Sequence, residues 1–147
     1  MEVKIKKLTP SAIIPTYAHS TDAGMDLYVT NVEYDNNLDC YVYHTGLAVE
    51  IPEGYVGLLF PRSSNRKTDC YLTNSVGVID SGYRGEILFC YKDRRDILEV
   101  CSSNAPYKVG DRAAQLIIMP YPHVDFKEVE ELEDSDRGEG GFGSTNK

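Results

Sequence analysis

The apolar residues of this chain come in short runs, and almost every run is closed by a proline, a glycine or an asparagine-rich turn. No stretch sustains the three-to-four spacing of an amphipathic helix, so the chain has to fold from strands. Tyr41-Val42-Tyr43 follows the turn cluster Asp35-Asn36-Asn37 and reads as a hairpin arm. Leu47 to Ile51 ends at Pro52-Glu53-Gly54, and Tyr55 to Phe60 resumes as a mainly apolar strand that stops at Pro61. Ser75 to Ile79 and Gly85 to Tyr91 flank Asp80-Ser81-Gly82, which reads as a β-hairpin tip. Ile97 to Cys101 and Ala113 to Met119 are two further predicted strands, and Phe126 to Leu132 alternates well enough for a last one. A single short helical turn is predicted after Pro61, capped by Ser63 or Ser64. Strands at this spacing with Gly/Pro turns specify an all-β sandwich or barrel.

The 147 residues are enough for one domain with a core of its own. The formal net charge of -8 argues against a broad nucleic-acid surface and against adhesion to an anionic membrane. It leaves room for a small anion held by a few local cations and a metal. The acidity is local: Asp125 to Glu139 holds eight acids and two bases, and the remainder is nearly neutral. Met1 to Lys7 lacks the apolar stretch of a signal peptide, and no apolar run approaches a membrane span. The expected location is the cytoplasm, or the interior of a host cell if the protein is viral. Cys40, Cys70, Cys90 and Cys101 show no C-x-x-C pairing, and His19, His44 and His123 are scattered. They are expected to be free thiols and isolated imidazoles rather than a zinc site.

Five stretches carry chemistry. Gly77-Val78-Ile79-Asp80-Ser81-Gly82-Tyr83 places a carboxylate where an apolar strand ends, with an aromatic three residues on. Such a carboxylate suits a general base toward water, and the ring suits the wall of a sugar or base. The same residues also make a plain turn. Arg137-Gly138-Glu139-Gly140-Gly141-Phe142-Gly143-Ser144-Thr145 nearly spells a phosphate-binding loop, but Ser144 stands where the lysine belongs and no helix follows. A P-loop NTPase is thereby excluded. Glycine N–H groups, two hydroxyls, an arginine and a lone Phe142 suit a phosphate chain and a stacked base, or else a flexible tail. Asp22-Ala23-Gly24-Met25-Asp26-Leu27, Phe60-Pro61-Arg62-Ser63-Ser64-Asn65 and Gly110-Asp111-Arg112-Ala113-Ala114-Gln115 are individually bland. Together the five supply what a nucleoside triphosphate with Mg²⁺ requires.

In this order, from about Ala12 to Thr145, the five stretches resemble the motifs of the trimeric deoxyuridine triphosphate nucleotidohydrolases (dUTPases). The resemblance implies a jelly-roll-like β-barrel over residues 1–133 and a flexible arm over residues 134–147 that carries the fifth motif. It implies a homotrimer with shared active sites, in which the arm of one subunit covers a site made by the other two. The implied reaction is hydrolysis of dUTP to dUMP and pyrophosphate with Mg²⁺. That activity limits uracil incorporation into DNA and supplies dUMP for thymidylate synthesis. Asp26 is then expected to face Mg²⁺ through water, the ion being held mainly by the triphosphate. Arg62, Ser63 and Ser64 are expected on the phosphates. Asn74 and Gly77-Val78-Ile79 are expected to read uracil through main-chain groups. Asp80 is expected to activate the attacking water, and Tyr83 to leave no room for a 2′-hydroxyl. Gln115 is expected on the phosphates, Arg137 on the γ-phosphate and Phe142 on the uracil face, with Gly143, Ser144 and Thr145 adding phosphate hydrogen bonds.

Two other readings share the fold: a dCTP deaminase, and a dUTP-sensing regulatory protein. Asp80 followed by Tyr83, with the arm from Arg137 to Thr145, favours the hydrolase over the deaminase. The chain departs from the family pattern in continuing its second motif as Ser64-Asn65-Arg66-Lys67, and the Tyr34–Tyr43 hairpin has no role assigned from sequence.

Overall fold

The structure, a computed structural model, describes residues 1–94 and 104–140. Its strands are β1 (Lys4–Lys7), β2 (Met25–Tyr28), β3 (Asn31–Asp35), β4 (Cys40–His44), β5 (Leu47–Glu50) and β6 (Tyr55–Pro61). They continue as β7 (Cys70–Leu72), β8 (Gly77–Ile79), β9 (Leu88–Asp93) and β10 (Arg112–Pro120). All pairings are antiparallel. One four-stranded sheet has the order β2-β10-β6-β8, a second has β3-β4-β9-β7, and β1 pairs with β5 as a ribbon. Among the described residues there is no α-helix, and no helix long and apolar enough to cross a membrane. The all-β expectation holds.

Alternation explains the layers. On β4 and β9, Tyr41, Tyr43, Phe89 and Tyr91 face inward and are buried, while their neighbours Val42, His44 and Leu88 face out. Tyr43 stacks on Phe89 at 5.3 Å and meets Tyr91 and Tyr107 edge-on at 5.8 and 5.9 Å. Each such ring stabilises the fold by roughly 1.5–3 kcal/mol through burial alone. The Tyr34–Tyr43 hairpin, left without a role from sequence, therefore supplies core rings. Its Asn36–Leu38 tip is tied to Asp35, whose carboxylate accepts from the N–H groups of Asn37 and Leu38. Gly46 turns the chain from β4 into β5 at φ +65, and a β-carbon there would meet Thr9 Oγ1 at 2.6 Å.

Three expectations are corrected. Asp80–Gly82 is not a hairpin tip: β8 bonds to β6, whereas β9 bonds to β4 and β7 in the other sheet. Residues 80–87 are a crossover between sheets, and a turn signal is the same for either connection. The short helix is a 3-10 helix, Ser63–Lys67, capped by Arg62 with no side-chain cap bond, so neither serine caps it. Phe126–Leu132 forms no strand; Phe126 is 97% and Leu132 86% exposed, and neither pairs with a strand among the described residues. The predicted Ile97–Cys101 strand lies outside the described residues. Cys40, Cys70 and Cys90 are free thiols, as expected.

Burial holds the phenols of Tyr43, Tyr91 and Tyr107 above their ordinary value, which favours the neutral form in the fold. Unfolded tyrosines ionise near pH 10. The stabilisation is complete below that pH and is lost as pH rises through the folded values. Urea midpoints are expected to fall above about pH 10, and a midpoint that stays level there would contradict this packing.

Candidate active site

Two clusters take shape on the sheet β2-β10-β6-β8. The first is a row across three strands: Asp26 of β2 pairs with Gln115 of β10, which pairs with Phe60 of β6. Residues paired across an antiparallel ladder share a face, and so do residues two apart. Arg62, two residues past Phe60, therefore emerges on the face of Asp26. Its Nε donates to Asp26 Oδ1 at 2.6 Å and its Nη2 to Oδ2 at 3.2 Å, a bidentate clasp. Arg62 Nη1 also donates to Ser64 Oγ at 3.3 Å. Gln115 donates to the carbonyl of Pro61 at 3.0 Å. Ser63 lies at the head of the 3-10 helix, on the rim of a cleft of about 550 Å³ that is also lined by Asp26, Arg62, Arg112 and Gln115.

Arg112 was not singled out from sequence. It donates to Asp26 Oδ2 at 3.1 Å. By strict alternation Arg112, an odd number of residues before Gln115, belongs on the opposite face. A register shift between Arg112 and Ala114 places it opposite Tyr28 and so on the face of Asp26. Such a bulge re-aims one side chain, and nothing in the alternation of Arg112-Ala113-Ala114 announces it.

The second cluster surrounds the end of β8. Asn74, Gly77, Val78, Ile79, Asp80, Tyr83 and Glu86 line a cavity of about 220 Å³. Ile79 is buried, and Asp80, the next residue, is exposed at the start of a turn closed by Tyr83 N–H donating to Asp80 O at 3.0 Å. The Tyr83 hydroxyl donates to the carbonyl of Glu86 at 2.9 Å. The ring lies so close over Gly85 that a β-carbon there would collide with it.

The two clusters are apart on one chain. Ile79 is level with Gly57, so Asp80 is level with Val56, while Arg62 lies just past Pro61. Those six residues of extended β6 amount to about 20 Å. Of the fifth stretch, Arg137 is exposed and donates from Nε to the carbonyl of Gly140 at 2.8 Å. Phe142, Gly143, Ser144 and Thr145 lie outside the described residues.

The dUTPase family model matches residues 10–146. A deoxyuridine 5′-triphosphate nucleotidohydrolase of Nocardia farcinica is 40% identical over 146 residues, covering 97% of this chain and 84% of the relative. One of Clostridium kluyveri is 38% identical and covers 99% and 98%. Among solved structures, the dUTPase of Staphylococcus bacteriophage 80alpha with dUPNHPP superposes with a TM-score of 0.80 at 34% identity, covering 99% of this chain and 98% of that one. A variant dUTPase of phage phi11 of S. aureus, described for the coordination of a structural Mg(II) ion, superposes with a TM-score of 0.72 at 31% identity, covering 91% and 100%.

The Asp26 clasp is half-buried, and removing its charge leaves two guanidinia facing an amide. Asp26→Asn is expected to lower unfolding stability by about 1.5–3 kcal/mol, the usual range for hydrogen bonds to a charged group. The measurement is a urea midpoint at neutral pH. An unchanged midpoint would mean that the clasp contributes no more than a solvated surface pair.

Proposed function

The chain belongs to the dUTPase family and is a dUTP nucleotidohydrolase, and we propose that it releases dUMP and pyrophosphate at sites completed between the subunits of a homotrimer. The free edge of β8 carries this reading. Among the described residues β8 ends its sheet and bonds to β6 alone, so half of its main-chain donors and acceptors face away from the sheet. A pyrimidine offers a matching row of donors and acceptors, and a rigid backbone edge distinguishes uracil from cytosine because the two reverse part of that row. Asn74 flanks this edge at one end, and Asp80 with Tyr83 at the other.

With uracil on β8, the deoxyribose falls against Tyr83 and the α-phosphate comes within reach of Asp80. Asp80 orients a water in line with the α-phosphorus and takes its proton. The water oxygen bonds to phosphorus as the bond to the bridging oxygen breaks, and pyrophosphate leaves. A positioned base of this kind contributes roughly 10²–10⁴-fold. The phosphate-binding groups are Arg62, Ser63, Ser64 and Gln115; on the same chain Arg62 emerges about 20 Å along β6 from Asp80, and Gln115, level with Phe60, about 14 Å. They therefore act in the site of a neighbouring subunit. Val78, 63% exposed on the outer face of β8, supports burial against another subunit. Arg137, Phe142, Gly143, Ser144 and Thr145 close the site from a third chain, and release of that arm lets product leave.

Both Asp26 oxygens are engaged by arginines, and no group of three His, Cys, Asp or Glu residues among the described ones forms a metal cage. A carboxylate has about four acceptor positions, so one remains for a water of a hydrated ion. The donor set thus fits Mg²⁺ that arrives on the triphosphate and is held by Asp26 through water. When bound, the ion offsets phosphate charge and holds one triphosphate geometry.

Two experiments test these assignments. Pyrophosphate release with Mg²⁺ is expected from dUTP, with dCTP, dTTP and UTP nearly untouched; equal turnover of UTP would overturn the role of Tyr83. Mixed trimers supply the second test. Asp80→Asn and Arg62→Ala proteins are each expected to be nearly inactive. Refolded together, they are expected to recover part of the wild-type rate, since some sites then receive Asp80 and Arg62 from intact donors. No recovery in trimers shown to be mixed would mean that one chain supplies both groups.

A further inference from the structure

We propose that Glu86 and His44 are positioning residues for Tyr83, and through it for the rejection of a 2′-hydroxyl; the proposal rests on the reading of Tyr83 given above. The tyrosine is held by the backbone at residues 85 and 86, through the close passage over Gly85 and the hydroxyl bond to the Glu86 carbonyl. What holds Glu86 is its own carboxylate, which reaches across to the β4–β5 corner. Oε1 accepts from the Gly46 N–H at 2.7 Å, and Oε2 lies 3.1 Å from His44 Nδ1. Both oxygens are engaged, so Glu86 serves as an anchor in this cavity rather than as a second base beside Asp80.

His44 lies between two carboxylates. Glu86 faces its Nδ1 from the crossover, and Glu33 of β3 faces its Nε2 at 3.7 Å. Its direct ladder partners, Asn31 and Leu88, carry no charge. Nε2 is buried and has no hydrogen-bond partner among the described residues. The Nδ1 contact fixes Glu86, and Glu86 fixes the backbone that holds Tyr83. The chain of contacts runs from the outer face of the second sheet to the sugar position in the site.

The test is the ratio of kcat/KM for UTP to that for dUTP at neutral pH. The full-length trimers compared are wild type, Glu86→Gln, His44→Gln, Tyr83→Ala, and Glu86→Gln combined with Tyr83→Ala. Glu86→Gln keeps an acceptor for Gly46 and the shape of the side chain, so it reports even if His44→Gln fails to fold. The ratio is expected to rise about five- to tenfold in Glu86→Gln and in His44→Gln, the scale of one lost hydrogen bond. The double variant is expected to match Tyr83→Ala alone, since both changes act on one contact. An unchanged ratio in Glu86→Gln beside a raised ratio in Tyr83→Ala would overturn the proposal. An unchanged ratio in Tyr83→Ala would overturn the reading of Tyr83 itself, and the proposal with it.

Discussion

The pairing of β6 with β10 is the constraint on which the rest of the site depends. It runs in unbroken register from Ala114 opposite Pro61 to Pro120 opposite Tyr55. One end of β6 delivers Arg62 to Asp26, and the same strand carries β8 on its other side. Because β8 is antiparallel to β6, its C-terminal end is set beside the N-terminal end of β6. Asp80 and the Arg62–Asp26 clasp are thus placed at opposite ends of one rigid strand. No side-chain rotation closes a gap of about 20 Å. Subunit assembly in this reading follows from strand geometry, since the clusters can meet only when two chains face each other.

The second sheet contributes rigidity rather than ligand contacts. Its inner face is a cluster of aromatic rings, and the sole buried polar residue among the described core, Thr45, is satisfied by donating to the Ile87 carbonyl at 2.8 Å. The Ile87 N–H in turn donates to the Leu47 carbonyl at 2.8 Å. The crossover from β8 to β9 is therefore stitched to the β4–β5 corner along its last residues, while its first residues, Asp80 to Tyr83, form the exposed turn. A loop that must present a base and a ring in fixed positions is anchored at one end by the sheet it leaves and at the other by the sheet it enters.

The strand content was legible because apolar runs and Gly/Pro punctuation are local signals. The partners of those strands were not. Asp80-Ser81-Gly82 predicts a reversal, but it says nothing of whether the next strand returns to the same sheet, and here it does not. Asp26, Arg62 and Gln115 were visible as residues with the right chemistry, and register explains why they meet. Arg112 was invisible because a bulge reverses its face. Asn65, the departure from the family pattern, has a structural account: its Nδ2 donates to the Cys70 carbonyl and its Oδ1 accepts from the Tyr107 hydroxyl, both at 2.8 Å. That polar fastening of the 3-10 helix spans residues far apart in sequence, which no local pattern reveals.

The charge distribution completes the argument. Arg62 and Arg112 approach the same carboxylate, and without Asp26 their mutual repulsion would spread them apart. Asp26 therefore holds two cations in fixed places before any anion arrives. In the proposed function, a triphosphate entering the cleft meets donors whose positions are already set, and binding does not have to order them. The acidic stretch from Asp125 to Glu139 follows a different logic. It is exposed throughout, and Phe126 and Leu132 stand out from it into solvent. Like charges along an extended segment oppose its collapse onto its own nearly neutral body. Net charge and local charge are thus separate quantities in this chain: -8 for the molecule, and a pair of guanidinia around one carboxylate in the cleft proposed for the phosphate chain.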